Sequence, residues 1–251
     1  MKAIPVGLVI GGILLALGAV PRAFAAGPLA FDVETGMVAA GSNDVRIPGD
    51  TGTRFSLVDD LSTDARGFLR LRAAYTLGPR QRLSALYAPL TLKASGSCDR
   101  PITYKDVTFV TGTPLAAEYT FNSYRLSYGY TVHRSDRLSV EIGLTAKIRD
   151  AAIEVRGGGR SARKTNVGFV PLINFAFDWR LGRSVGLRFD GDALAAPQGR
   201  AEDVQLAVWY TPRPSLRLRA GYRLLEGGAD NDEVYNFALL HYAALGVTVM
   251  P

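Results

Sequence analysis

The chain has 251 residues, of which 47% are hydrophobic and 21% are charged, and its formal net charge is +6. Its single cysteine, Cys98, excludes an intrachain disulfide. The basic residues are spread along the whole chain instead of forming one basic segment, so we expect no nucleic-acid partner.

Residues 1–25 have the features of a secretory signal peptide. Lys2 gives a positive start, Val6–Val20 is apolar, and Ala23-Phe24-Ala25 has the small-x-small pattern of a cleavage site. We predict cleavage after Ala25 and a mature domain of residues 26–251. An uncleaved membrane anchor is the alternative, although the apolar run is short for a helix that spans a membrane.

From residue 28 onward, apolar and polar residues alternate with a period of two, which is typical of β-strands with two different faces. The phase of this alternation changes near Asn122-Ser123, which predicts a β-bulge. Pro89 leaves the register of 81–93 open, and a different interpretation of this segment or of 53–61 would give eight or twelve strands. The predicted strands are 28–39, 67–78, 81–93, 114–132, 137–155, 165–181, 184–195, 202–211, 215–226 and 235–249.

The connections between the predicted strands are alternately short and long. The short ones are turns rich in glycine, proline or serine, such as Leu77-Gly78-Pro79-Arg80. In an antiparallel meander, alternating short and long connections place all short turns at one end and all long loops at the other, as in outer-membrane barrels. We therefore predict an all-β fold, an antiparallel up-and-down transmembrane β-barrel of about ten strands, with mobile outer loops and both termini in the periplasm. The long links are 40–66, 94–113, 156–164, 196–201 and 227–234.

Charged side chains recur in the middle of the predicted strands, and they decide which face meets the lipid. An arginine or lysine that faces lipid at the bilayer midplane costs about 2–4 kcal/mol. The apolar face must therefore point outward and the charged face into the lumen. The predicted lumen charge network is Asp32, Glu34, Arg70, Arg72, Glu141, Lys147, Arg149, Asp178, Arg180, Arg188, Asp190, Asp192, Arg217, Arg219 and Arg223. Arg125, Glu118 and Asp203 are also predicted to face the interior, and Tyr128, Tyr130, Trp179 and Tyr210 to form a periplasmic aromatic girdle.

Two interpretations of this lumen remain open. Ten strands enclose a narrow space, because about eight strands leave an interior just filled by side chains and open channels need about 16. Long side chains of both signs could form an ion-pair network that plugs the barrel. Alternatively, the slight excess of basic residues could line a narrow polar path that prefers anions.

Neither histidine is placed for catalysis. His133 lies in a short turn, and His241 falls on the lipid-facing side of the last strand. A lipid-modifying site would need a nucleophile such as Ser127 or Ser139 within hydrogen-bond reach of His241, and the spacing does not support one. An aspartate–histidine protease would need a histidine beside the acids of the outer loop 226–233, which contains none. We expect no catalytic residue and no cofactor.

Two outer loops carry concentrated charge. The acidic loop 226–233 offers oxygen ligands to a hard cation but lacks the spacing of a calcium loop, so we predict a solvated turn and no metal site. The basic loop contains Arg156, Arg160, Arg163 and Lys164, which would meet lipopolysaccharide phosphates at the outer leaflet. A flexible, fully solvated loop is the alternative.

The mature segment resembles the small bacterial outer-membrane β-barrel proteins, the OmpA- and OmpW-type superfamily. The resemblance lies in the strand and loop pattern and in residues 246–251, which keep the glycine of the C-terminal assembly signal but have Val249 and Pro251 in place of its aromatics. It implies an outer-membrane location, insertion by the barrel-assembly machinery, and a monomer surrounded by lipid. We predict a non-enzymatic barrel with a charged, largely plugged lumen, which serves envelope structure, surface interaction or restricted passage of small solutes. A lipid-modifying enzyme is the alternative.

Overall fold

The computed structural model describes residues 28–196 and 199–251, which form β-strands joined by turns and loops. No helix in these residues is long and apolar enough to cross a membrane. The predicted signal peptide, residues 1–25, lies outside the described residues. The strands are β1 (Leu29–Arg46), β2 (Phe55–Ser56), β3 (Ser62–Thr63), β4 (Arg66–Gly78), β5 (Gln81–Ala88), β6 (Thr91–Ser97), β7 (Ile102–Tyr104), β8 (Val107–Phe109), β9 (Pro114–Arg134), β10 (Leu138–Gly157), β11 (Arg160–Arg180), β12 (Val185–Ala196), β13 (Gly199–Arg213), β14 (Leu216–Asp230) and β15 (Tyr235–Val249).

Ten strand positions form a closed antiparallel wall. Each strand from β9 to β14 pairs with the next one in the chain, and β15 pairs back with β1 to close the barrel. From β1 the wall continues through β4 and β5 to β9. β5 and β6 share one position, since both pair with β9 and the chain between them contains Pro89. The predicted fold class and the count of ten are confirmed, and segment 53–61 adds only the short strand β2 beside β1.

An apolar belt surrounds the outside of the wall, with exposed side chains such as Leu144. Its last apolar pair on β9 and β10, toward the end away from the chain termini, is Tyr124 with Ile148. The next outward pair, Asn122 and Asp150, is polar and hydrogen-bonded at 3.1 Å, so the belt ends between these two rows. About 9–11 tilted residues cross a bilayer. β9, β10 and β11 have 20 or 21 residues and therefore extend well beyond the belt at this outer end.

Three outer connections are shorter than predicted. β10 and β11 stay paired to their tips, so the predicted loop 156–164 is a tight hairpin. Gly158 and Gly159 both have positive φ, which this kind of two-residue turn requires and which glycine adopts without strain. Strands also extend into the predicted loops 196–201 and 227–234. The prediction of long loops is therefore wrong at these three connections.

The predicted bulge at Asn122-Ser123 is also wrong. β9 keeps a continuous register with β10 through both residues. What changes there is the chemistry of the inward side chains, which are polar from Ser123 onward and apolar before it, as at Tyr119. The parity is constant, so Glu118 points outward above the belt and not into the lumen as predicted.

An apolar core packs inside the outer part of the barrel, which the alternation pattern did not indicate. Segments 47–65 and 98–113 fold inward and bury Phe55 and Tyr104, whose rings meet edge to face with centroids 6.2 Å apart. The Tyr104 hydroxyl donates a hydrogen bond to the Ile153 carbonyl of β10 at 2.8 Å. These segments therefore belong to the packed interior and are not free outer loops.

An ion pair joins the two inserted segments outside the membrane. Arg100 donates hydrogen bonds to both carboxylate oxygens of Asp60, at 2.8 and 2.9 Å. These bonds, helped by the Ser56 amide, hold the pKa of Asp60 below its ordinary value. The carboxylate therefore stays ionised at neutral pH. Cys98, at the start of the second segment, has a raised pKa because it is buried.

Candidate functional site: the lumen and the outer cavity

A layer of buried charges crosses the lumen. This central charge layer consists of Glu34, Arg70, Arg125, Asp192, Asp203 and Arg223. The Asp203 carboxylate lies at its centre and accepts hydrogen bonds from three arginines, at 2.8 Å from Arg70 and at 2.5 Å from both Arg125 and Arg223. Arg125 also donates to Asp192 at 2.7 Å, and Arg223 donates twice to Glu34, at 2.8 and 3.1 Å. Because the six residues come from six strands, the layer ties the wall together across the lumen.

Neutral polar side chains complete the hydrogen bonding of this layer. Thr145 and Asn174 donate to Asp192 at 2.6 and 2.8 Å, and Gln205 donates to Glu34 at 3.0 Å. Each carboxylate of the layer is thus bound by several donors, which offsets the cost of removing it from water. The hydrogen bonds of these neutral residues to the carboxylates were not predicted, because alternation along a strand does not show which side chains meet across the lumen.

A second tier of ion pairs lies between the central charge layer and the periplasmic end. Arg219 binds both oxygens of Asp32, at 2.6 and 2.9 Å. The other pairs of this tier are Arg217 with Asp178, Arg188 with Asp178 and Asp190, and Arg82 with Glu141. A cavity of about 210 Å³ remains among them. The inner part of the lumen is therefore narrow and densely charged.

Most of the predicted lumen charge network is brought together in these two tiers, but four members are not. Arg180 is exposed at the periplasmic end of β11, beyond the enclosed interior. Arg72, Lys147 and Arg149 lie on the inward face, yet none forms an ion pair with a carboxylate of the described residues. Arg82 joins the network without having been predicted, because the proline after β5 left the register of that strand open.

A larger cavity, of about 740 Å³, lies on the outer side of the central charge layer. Lys147 and Arg149 of β10 contribute its basic groups nearest that layer. Lys164 binds Glu233 at 3.0 Å and so connects β11 with the β14–β15 loop. The apolar lining of the outer cavity includes Tyr119, Phe121, Ile153, Leu194, Leu225 and Val234. In the described part of the chain, no residue lines both this outer cavity and the inner one.

The four basic residues predicted to meet lipopolysaccharide lie on the paired β10–β11 hairpin. Arg156 binds Glu154 at 2.7 Å, and Arg163 approaches the same carboxylate at 3.5 Å. The hydrogen bond from Arg156 lowers the pKa of Glu154. Lys164 also has an acidic partner, as described above, and Arg160 has none among the described residues. Acids of the chain itself thus balance much of this charge, and contact with lipopolysaccharide remains a prediction.

His241 packs on the outer surface of the wall. Its Nδ1 atom shares a hydrogen bond of 2.5 Å with the Tyr222 hydroxyl, and its ring covers Gly41, where a Cβ would lie 2.3 Å from Nε2. Ser127 and Ser139 belong to β9 and β10, four and five wall positions away from β15. The structure therefore does not bring either serine to His241, and the contacts of the ring are those of a packed surface residue.

Two of the four acids of the predicted loop 226–233 pair with nearby arginines. Glu226 binds Arg200, and Asp230 lies 4.0 Å from Arg46. Within residues 28–196 and 199–251, no group of three or more histidine, cysteine, aspartate or glutamate side chains is arranged to hold a metal ion.

Comparison with known proteins shows similarity in fold. No protein-family model matches the chain, and no curated protein sequence does. The barrel is similar to the outer membrane protease OmpT from Escherichia coli, with a TM-score of 0.57 and 9% identity over 92% of this chain and 99% of that one. Ail, the attachment invasion locus protein of Yersinia pestis, has a TM-score of 0.38 and 10% identity over 88% and 98%. The toluene transporter TodX of Pseudomonas putida has a TM-score of 0.38 and 9% identity over 94% and 91%.

The closed ten-position wall, the apolar belt and the charged interior define the class of this protein. Its fold is that of the small bacterial outer-membrane β-barrel proteins. At 9% identity, the similarity to OmpT is one of fold alone.

Proposed function

We propose that the protein is a non-enzymatic, non-conducting outer-membrane barrel that acts through its outer cup. The outer cup comprises the parts of β9, β10 and β11 beyond the belt, the inserted segments 47–65 and 98–113, and the outer cavity. The observation that carries the proposal is the central charge layer, which separates the outer cavity from the inner one. The barrel then anchors the cup, and the cup is the part that faces the cell exterior.

Restricted passage of solutes is less well supported than a closed lumen. An ion would have to separate Asp203 from arginines held at 2.5 to 2.8 Å, and removing one partner of a buried ion pair costs about 3–5 kcal/mol. A lipid-modifying enzyme is less well supported, because neither Ser127 nor Ser139 lies near His241. The monomeric state and insertion by the barrel-assembly machinery remain predictions.

Conductance across a planar lipid bilayer tests this proposal. The purified, folded protein is expected to give no current steps above the background of the bilayer, because the ion pairs of the central charge layer lie across the lumen between the two cavities. An open porin added to the same bilayer provides the positive control, and heat-denatured protein the negative one. Reproducible steps that require folded protein would overturn the proposal and favour the narrow anion path.

A further inference from the structure

The barrel wall has a lateral opening on one side. β11 pairs with β12 only from Ile173 to Arg180, whereas residues 160–172 of β11 pair with β10 alone. Among the described residues, no strand pairs with this free edge. Pro171 lies in it and has no N–H to donate, which is typical of an edge position. A lateral slot therefore separates this edge of β11 from the β12–β13 hairpin.

The lateral slot connects the outer cavity with the lipid-facing surface. Phe169 and Pro171 of β11 and Leu194 of β12 line the cavity at the two borders of the slot. Phe169 pairs with Ile148, which belongs to the last row of the belt, and its ring is exposed on the outward face. The slot thus begins at the level of the outer leaflet, and a molecule dissolved in that leaflet could reach the cavity without crossing the aqueous mouth.

Lys147 is a buried basic residue without an acidic partner in the described part of the chain. Its side chain is only 4% exposed and contributes to the cavity lining. Its ammonium nitrogen lies 4.8 Å from the centroid of the Phe121 ring and forms no ion pair with the described residues. Nearby, Arg149 donates a hydrogen bond from Nη2 to Asn166, whereas its buried Nε has no partner among the described residues. Burying a charge without a partner is costly, so this end of the cavity favours an anionic group supplied from outside the chain.

We propose that the outer cavity binds a fatty acid, a single-chain amphipathic anion, which enters from the outer leaflet through the lateral slot. Its carboxylate pairs with Lys147, and its acyl chain packs on the apolar lining that includes Phe121 and Leu225. The volume of about 740 Å³ is within the range of about 300–1,000 Å³ that is usual for small-molecule sites. This inference rests on the proposed role of the outer cup and names its ligand class.

Binding of myristate to the detergent-solubilised, folded protein tests the inference, with displacement of a fluorescent fatty acid as the readout. Myristate is expected to bind saturably, and the corresponding uncharged alcohol about tenfold more weakly, because it cannot form the charge-assisted hydrogen bond. The variant Lys147→Met, of similar length, is expected to lose about tenfold in myristate affinity and to bind the alcohol as wild type does. Lys93→Met, which changes an exposed lysine outside the cavity, is the matched control.

A second experiment tests the slot by measuring how fast myristate, delivered from lipid vesicles that hold the folded protein, loads into the cavity. Leu194→Trp, which adds bulk at one border of the slot, is expected to slow loading, whereas Leu206→Trp on the exposed face of β13 is not. Equal binding of the acid and the alcohol, unchanged myristate affinity in Lys147→Met, or no saturable binding would each overturn the inference. The conductance of the same preparation shows separately whether the proposed function fails.

Discussion

Replacement of Asp203 with alanine is expected to lower the free energy of unfolding by about 3–5 kcal/mol. The carboxylate accepts hydrogen bonds from Arg70, Arg125 and Arg223, so its loss leaves three guanidinium groups in one buried layer without their common partner. Urea unfolding in phospholipid vesicles, followed by circular dichroism, measures this change. The unheated protein is also expected to lose its compact migration on a detergent gel at a lower temperature than the wild type does.

Asp99→Ala provides the control for this prediction. Asp99 is an exposed aspartate whose ion pair with Arg100, at 3.4 Å, is solvated, so its loss is expected to cost less than about 1 kcal/mol. A third variant, Asp203→Asn, keeps the size of the side chain and removes only its charge. An unfolding free energy of Asp203→Ala equal to that of Asp99→Ala would contradict the role of the central charge layer.

Leu144→Arg is expected to destabilise the folded barrel in a bilayer by about 2–4 kcal/mol. Leu144 lies within the apolar belt on the outward face of β10 and is 68% exposed, so the new guanidinium would face acyl chains. The same assay of urea unfolding in vesicles detects the change. In a detergent with short chains, whose micelle deforms more easily, the loss is expected to be smaller.

Val110→Arg is the matched control, because Val110 is 70% exposed but lies in the inserted segment 98–113 beyond the belt. There the guanidinium meets water, and the change is expected to remain within about 0.5 kcal/mol. If both variants lost the same stability, exposure alone would explain the effect, and the belt at Leu144 would not be in contact with lipid.

The alternation of residues predicted the wall of the barrel well, because inside and outside differ most in chemistry where the wall crosses the membrane. The predicted and observed bounds of the last strand, 235–249, are identical. The inward positions of Arg219 and Arg223 follow directly from their spacing of four along a strand of period two. The charges that repeat on one face of each strand therefore carried most of the information about the fold.

The same rule failed where the wall leaves the membrane. On β9, Tyr119 is inward and apolar while Glu118 is outward and charged, which is the reverse of the arrangement inside the belt. The sequence pattern therefore changed phase near Asn122-Ser123 although the backbone did not. A period of two identifies two faces, but only the surroundings decide which of them is polar.

Contacts between residues that are distant in the sequence could not be predicted either. Gln205 reaches Glu34 only because the barrel closes between β15 and β1, and nothing local to either residue signals the contact. The free edge of β11 is similar, since pairing with β12 ends at Ile173 because the β12–β13 hairpin is short, and no residue within 160–172 signals this. The candidate binding site depends on this free edge and was not predicted.

The central claim is that the charged faces are enclosed and the apolar faces contact lipid, and the two tryptophans of the chain test it most directly. Trp179 is 54% exposed on the outward face of β11, whereas Trp209 is 3% exposed on the inward face of β13. The variants Trp209→Phe and Trp179→Phe each retain a single tryptophan. Brominated phospholipids quench the fluorescence of a tryptophan that contacts acyl chains. We expect strong quenching when only Trp179 remains and weak quenching when only Trp209 remains; equal or reversed quenching would contradict this arrangement of the barrel.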